Sequence, residues 1–101
     1  MTPEIDRIAV ISTGHMTVED NALFTQRNIT YPITAFNYDG GIILPLLQSE
    51  VLTARQRTEV LDWGFSMSII EVIMWAHQNR FAGVRLDRDG PLIAELHIHD
   101  W

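Results

Sequence analysis

His97 and His99 are separated by one residue, and side chains on a β-strand return to the same face every second position. Two neighbouring imidazoles and a carboxylate can hold a divalent transition metal. His97 and His99 are therefore the candidate metal ligands, and His15, which follows the first apolar run, joins them if the two strands are neighbours. A His-x-His pair is also a common exposed face, and no second His-rich motif sets a ligand spacing. Asp87 and Asp89 flank Arg88 as a carboxylate pair suited to Mg²⁺ or to acid–base work. With His15 they make up the candidate catalytic set. The same residues suit a turn: Asp89-Gly90 is turn chemistry, and Asp87 can bond its own backbone.

Ser12, Thr13, Gly14 and His15 stand where an apolar run gives way to a helical pattern, so their amides are a candidate ligand-binding turn for an anion. Ser12 or Thr13 beside His15 has the elements of a nucleophile and base. No Gly-x-Ser-x-Gly elbow, phosphate loop or dinucleotide fingerprint accompanies them, so an ordinary capped turn is the simpler reading, and no cofactor is expected. Trp63, Phe65, Met74, Trp75 and Trp101 are core candidates by type and also the candidate interface anchors, since Trp and Met are enriched at interfaces. Trp101 is expected to dock onto the sheet, the alternative being a partner contact.

The elements that must position these residues are read from periodicity. The β-branched run at residues 8–11, inside a strand over 5–12, predicts burial on both faces. Thr17 is a good N-cap for a helix over 18–26, with Asp20 helping its first turn and Val18, Ala22, Leu23 and Phe24 as its apolar face. Alternation over 31–38 predicts a strand, Asp39-Gly40-Gly41 a hairpin turn, and 42–47 a returning strand with Pro45 at an edge or at its end. Thr53 to Gln56 is a capping box that opens a short helix, and 58–67 fits strand or helix. A second capping box from Ser68 to Glu71 starts the strongest helix, 69–80, apolar nearly all round and so either largely buried or laid against a partner or a second copy. Gly83 is its expected end. Two strands, 84–87 and 92–97, then follow, joined at Asp89-Gly90. The order β-α-β-β-α-α-β-β predicts a single α+β domain over 1–101: a sandwich with a mixed or antiparallel sheet of four to five strands and two to three helices on one face.

Composition narrows the class. The chain has 101 residues, 47% hydrophobic and 20% charged, which suits one folded domain. No cysteine is present, which excludes a disulfide framework and thiolate metal sites and fits a reducing compartment. The acidic start has no apolar h-region, and the apolar stretch around 69–76 is interrupted by Glu71 and too short to span a bilayer, so a cytoplasmic protein is expected. Thirteen acidic against seven basic residues give a formal charge of −6, which disfavours direct nucleic-acid binding and anionic membranes and permits a basic protein partner.

The segment from Ile11 to Glu19, the segment from Val84 to Ile93, and the closing Asp100-Trp101 resemble a family of short bacterial, plasmid and phage proteins known as a domain of unknown function. The likeness lies in a strand ending Ser-Thr-x-His, a helix-starting Thr-x-Glu, and Asp-x-Asp-Gly-Pro with a final Asp-Trp; the helix from Ser68 to Arg80 falls in the expected place. Residues 39–67 depart from the pattern. The resemblance implies a small stand-alone protein of a mobile element and carries no activity. The expectation is a small acidic, non-catalytic protein acting by protein–protein interaction, for example on a host defence or nucleic-acid-processing complex, possible also as a homodimer. The alternatives are a metal-dependent or acid–base hydrolase using the His/Asp cluster, and a small-ligand or nucleotide sensor.

Overall fold

The computed structural model describes residues 6–46 and 52–101. Ile5 and Leu47, expected at strand ends, lie outside the described residues. The elements are β1 (Ile8–Ser12), a 3-10 turn (Thr13–His15), α1 (Val18–Gln26), β2 (Phe36–Tyr38), β3 (Gly41–Pro45), α2 (Ala54–Asp62), α3 (Met67–Gln78) and β4 (Gly83–Asp87). The four strands form one mixed sheet in the order β1-β4-β3-β2. β1 runs parallel to β4, and the other neighbours are antiparallel. The architecture is α+β.

One face of the sheet is packed. Ala9, Ile11, Ile42, Leu44, Val84 and Leu86 point inward and form one core with Phe24 of α1, Val60 of α2 and Ile69, Ile70, Val72, Ile73 and Ala76 of α3. All three helices therefore cover the same face. The strand alternation puts Ile8, Val10, Phe36, Ile43 and Arg85 on the other face. β1 was expected to be buried on both faces. It is an edge strand among the described residues, and it alternates exposed and buried because the helices cover only one face of the sheet.

Capping explains the helix starts. Thr17 and Asp20 form a complete capping box on α1, and Thr53 and Gln56 one on α2. Residues 58–67 resolve into the end of α2, a turn with Gly64 at φ 112°, and Met67 as the first residue of α3. α3 starts earlier than its expected cap at Ser68: the N-cap is Ser66, whose Oγ accepts from the Ser68 amide. Gly83 does not end α3. Arg80 takes the left-handed conformation there, at φ 60°, and Gly83 opens β4. The expected apolar face of α1 is also corrected, since Val18 and Ala22 are exposed while Asp20 and Phe24 are buried.

Two expected strands differ. Of residues 31–38 only Phe36–Tyr38 form a strand of the sheet; Ala35 pairs back with Ile29 in a single bridge that closes 30–34 into a loop. Asp39-Gly40 makes the β2–β3 hairpin turn, with Gly40 at φ 105° and Tyr38 opposite Gly41. Pro45 ends β3, where a missing amide donor costs least. The expected hairpin of 84–87 with 92–97 does not form. β4 is an inner strand with β1 on one side and β3 on the other, so no edge is left for a returning strand. The turn itself is present, with the Gly90 amide donating to the Asp87 carbonyl at 2.9 Å, but the chain beyond it runs on as an irregular tail.

Candidate functional site

The tail over 91–101 crosses the end of β1 and lies along the Ser12–Met16 connector. Pro91 accepts from the Ser12 amide at 2.9 Å, and the His99 amide donates to the Gly14 carbonyl at 2.7 Å. Gly90 is needed at the crossing, since a Cβ there would run into the Ile11 carbonyl oxygen. Gly14 is less constrained: a Cβ there would come to 3.2 Å from the Ser12 Oγ and only into ordinary contact with Leu92. Leu96 is buried in the core, and the Trp101 indole Nε1–H donates to the Met16 carbonyl at 2.9 Å.

His15 is the hinge pin of this contact. It is 1% exposed. Its Nδ1 lies 2.9 Å from the His97 carbonyl oxygen, and its Nε2 accepts from the Ile93 amide at 2.8 Å. Accepting at Nε2 places the ring proton on Nδ1, where it is donated to His97. Both ring nitrogens are thus taken up by the tail's backbone, and neither has a free lone pair for a metal or a substrate. Thr13–His15 form a short 3-10 turn whose Ser12 Oγ accepts from the Gly14 amide at 2.9 Å, so the Ser12 hydroxyl oxygen caps its own turn.

The structure does bring His97 and His99 together, with ring centroids 4.6 Å apart. His99 Nε2 is 2.6 Å from Ser68 Oγ at the start of α3. Among the described residues, no group of three or more His, Asp or Glu side chains is placed to hold a metal ion. The carboxylates expected to join the histidines face elsewhere. Asp87 Oδ1 accepts from the Asp89 amide and Oδ2 from the Tyr38 hydroxyl, both at 2.8 Å, with Arg85 Nε 3.8 Å away. The Asp89 amide, then the Tyr38 hydroxyl, holds the Asp87 carboxyl below its ordinary range. Burial, then the bond to Asp87, pushes the Tyr38 hydroxyl above its ordinary value.

The expected interface residues divide by position. Phe65 is buried between Phe24 and the half-buried Trp63, with which it stacks at 5.7 Å. Met74 and Trp75 are half-buried against the core, Trp75 tilted on Phe81 at 5.4 Å. Trp101 is 53% exposed.

Three polar features were not singled out from the sequence. The first is a buried lock between helices. Asp20 has no exposed surface; its Oδ1 accepts from the Ser66 amide, and its Oδ2 from the Ser66 hydroxyl and the Thr17 amide. One carboxylate thereby satisfies donors at the N-termini of α1 and α3, where the helix dipoles also favour negative charge. The capping pattern at Thr17 was the visible half of this signal; Ser66 stands 46 residues further on. The second is the Tyr38–Asp87 bond across the sheet. The third is a cleft of about 420 Å³ at the hairpin end of the sheet, between Trp101 and Arg88. Another cleft, about 300 Å³, lies between residues 30–34, the end of β3, and α2 and α3, with Gln56, Glu59 and His77 among its polar groups.

No described helix is long and apolar enough to cross a membrane. The model of the C-terminal domain of the family of unknown function DUF5983 matches residues 8–101, and the chain belongs to that family. No curated protein and no solved structure matches the chain.

Proposed function

We propose that this member of the DUF5983 family is a non-catalytic binding domain that docks on a partner protein through the open face of its sheet. One observation carries the reading. Val10 is in register with Arg85, Arg85 with Ile43, and Ile43 with Phe36, so a single row of side chains runs across all four strands on the face away from the helices. Ile8, Val10 and Phe36 are 42%, 38% and 40% exposed. Apolar side chains exposed on either side of a central arginine give this face the mixed composition favoured at protein-recognition surfaces. β1 adds an outer edge without a strand partner among the described residues.

The partner is a protein with an apolar surface and a basic rim. Arg85 already lies beside Asp87 and over the Tyr38 ring at 5.5 Å, so the centre of the face needs no counter-charge. The chain's charge of −6 favours basic surroundings and opposes a second copy. A subunit of a host defence or nucleic-acid-processing assembly, met by a protein of a phage or mobile element, is the specific form of this proposal, because such assemblies present basic surface. The polar residues around His15 supply no reaction in this reading.

The test places a photo-crosslinking residue at Val10, at Phe36, and at Glu71 on the exposed side of α3, in cells that carry the native gene. The expected result is one heterologous basic protein joined from Val10 and Phe36, not from Glu71, and lost when Ile8 and Ile43 are both changed to Glu. Joining to a second copy, equal joining from Glu71, or no adduct at any position overturns the proposal. Val10→Glu alone should change stability by no more than about 0.5 kcal/mol, as befits a surface position.

A further inference from the structure

We propose that the cleft between Trp101 and Arg88 binds a small aromatic anion, with a planar ring stacked on the Trp101 indole and a phosphate or carboxylate held by the Arg88 guanidinium. The cleft measures about 420 Å³, within the range of small-molecule sites. Thr13, Asn21, Asn37 and Tyr38 complete its polar lining, and it is separate from the row of side chains proposed above for protein docking, Tyr38 being on its border.

Four features of the cleft fit this ligand class. The indole is half-exposed, yet its Nε1–H is tied to the Met16 carbonyl, so an aromatic wall stands in place before any ligand arrives. A wall already ordered loses little freedom on binding. Arg88 makes no ion pair among the described residues, whereas its neighbour Arg85 is drawn to Asp87. A guanidinium is suited to forked bonding with phosphate or carboxylate. Asn37 spends its Nδ2 on the Phe24 carbonyl at 2.6 Å and keeps its Oδ1 as an acceptor, and Asn21 has no side-chain hydrogen bond among the described residues, so the edges of a heterocycle would meet both donors and acceptors.

The fourth feature is the pair of glycines at the floor. A Cβ on Gly40 would sit 3.7 Å from Arg88 Nε and would require a left-handed backbone at φ 105°, so the absent side chain leaves the guanidinium uncovered. A Cβ on Gly41 would run into the Leu86 carbonyl oxygen and would lie 2.6 Å from the Tyr38 hydroxyl, which crosses that position to reach Asp87. The Asp87 carboxylate, next to Arg88 in the chain, is engaged by Tyr38 and by the Asp89 amide, which reduces its repulsion of a bound anion.

The experiment follows the Trp101 indole Nε1–H resonance by ¹H–¹⁵N NMR while the full chain is titrated with the four nucleoside monophosphates, with benzoate and indole-3-carboxylate, with the uncharged nucleosides, and with inorganic phosphate alone. At least one aromatic anion should give a saturable shift with Kd below about 1 mM, and its uncharged counterpart and Arg88→Gln should each weaken it about tenfold, roughly 1.4 kcal/mol. Binding confined to nucleotides, or confined to aromatic carboxylates, identifies the source of the anion, and either supports the site. Trp101→Ala removes the wall but also loosens the tail, so Trp101→Phe, which keeps a ring without the tether, is the second variant; followed through the Gly40 and Arg88 backbone amide resonances, since the indole is gone, it should retain part of the affinity. No saturable shift up to about 10 mM, an affinity unchanged in Arg88→Gln, or equal shifts with inorganic phosphate alone overturns the proposal.

Discussion

Replacing Asp20 by Asn tests the buried lock between α1 and α3. The carboxylate accepts from the Thr17 amide at 2.9 Å, the Ser66 amide at 2.8 Å and the Ser66 hydroxyl at 2.5 Å, with no exposed surface. An asparagine keeps one oxygen, which can still accept from Thr17 and Ser66 Oγ, but as a neutral group. Each such bond falls from about 2 to about 1 kcal/mol on loss of the charge. The amide nitrogen then faces the Ser66 N–H, donor against donor, which forfeits that bond and leaves a buried donor unpaired at about 1–2 kcal/mol. The sum is about 3–4 kcal/mol, a large part of the roughly 5–15 kcal/mol that holds a domain of this size. Because the site is sealed from solvent, added salt should not reduce the difference. Urea unfolding of wild type, Asp20→Asn, Ser66→Ala and the double variant gives the cycle. Ser66→Ala retains the amide bond to Oδ1, so its own cost should be smaller, about 1–2 kcal/mol, and the coupling between the sites should exceed about 1 kcal/mol. An Asp20→Asn cost below about 0.5 kcal/mol, or an additive double variant, refutes the argument that one carboxylate serves both helix starts.

Two further outcomes follow from the polar contacts. Asp87 titrates lower in the folded protein than in the unfolded chain, so its contribution to stability is present above the ordinary carboxylate value and is lost as pH falls from there through the lower folded value; Tyr38 titrates higher, so its contribution is present below its ordinary value near 10 and is lost as pH rises from there through the higher folded value. Tyr38→Phe should remove the alkaline loss and raise the Asp87 titration midpoint, read from the carboxyl ¹³C shift, and an unmoved Asp87 midpoint refutes the bond's role. His15→Leu keeps the bulk of the ring but leaves the Ile93 N–H and His97 C=O unpaired, at about 2–4 kcal/mol together, so amide exchange at Ile93 and His99 should accelerate while Val84 and Leu86 in β4 stay protected; uniform acceleration across the core refutes local anchoring.

The sequence specified local chemistry well. Thr17 and Asp20, Thr53 and Gln56, and Asp39-Gly40 each act within four residues, and each does what its local pattern implies. The larger failures concern the placement of the sheet. The run at 8–11 is apolar at every position, as a strand covered on both faces would be, but the helices cover one face only and Ile8 and Val10 point from the other. Residues 92–97 alternate acceptably for a strand, yet β4 has both edges occupied by strands from distant parts of the chain. No local pattern in Val84 or Leu86 reports that β1 and β3 have already claimed those edges. The candidate site suffered in the same way. His15, His97 and His99 are near one another, but whether a ring nitrogen is free depends on where the Ile93 amide and His97 carbonyl fall, and those are placed by tertiary packing.

The polar residues that suggest catalysis by type have a shared structural task, and that task bears on the rest of the molecule. His15, Gly14, Ser12 and Met16 each bond to the tail through His97, Ile93, His99, Pro91 or Trp101. An irregular segment without a strand's ladder of bonds needs such individual anchors, because its backbone groups have few partners of their own. The tail ends with the Trp101 indole tied to Met16 at the lip of a cleft that also holds Arg88. His15 anchors the tail by its backbone at Ile93 and His97, four residues and more before that indole, while Met16, the next residue after His15, holds the indole itself. The buried histidine and the exposed tryptophan are thus two ends of one device: the histidine fixes the path of the tail, and the path of the tail fixes the wall of the cleft. A substitution at His15 should therefore alter binding in the cleft without touching it, which separates positioning at His15 from contact at Arg88.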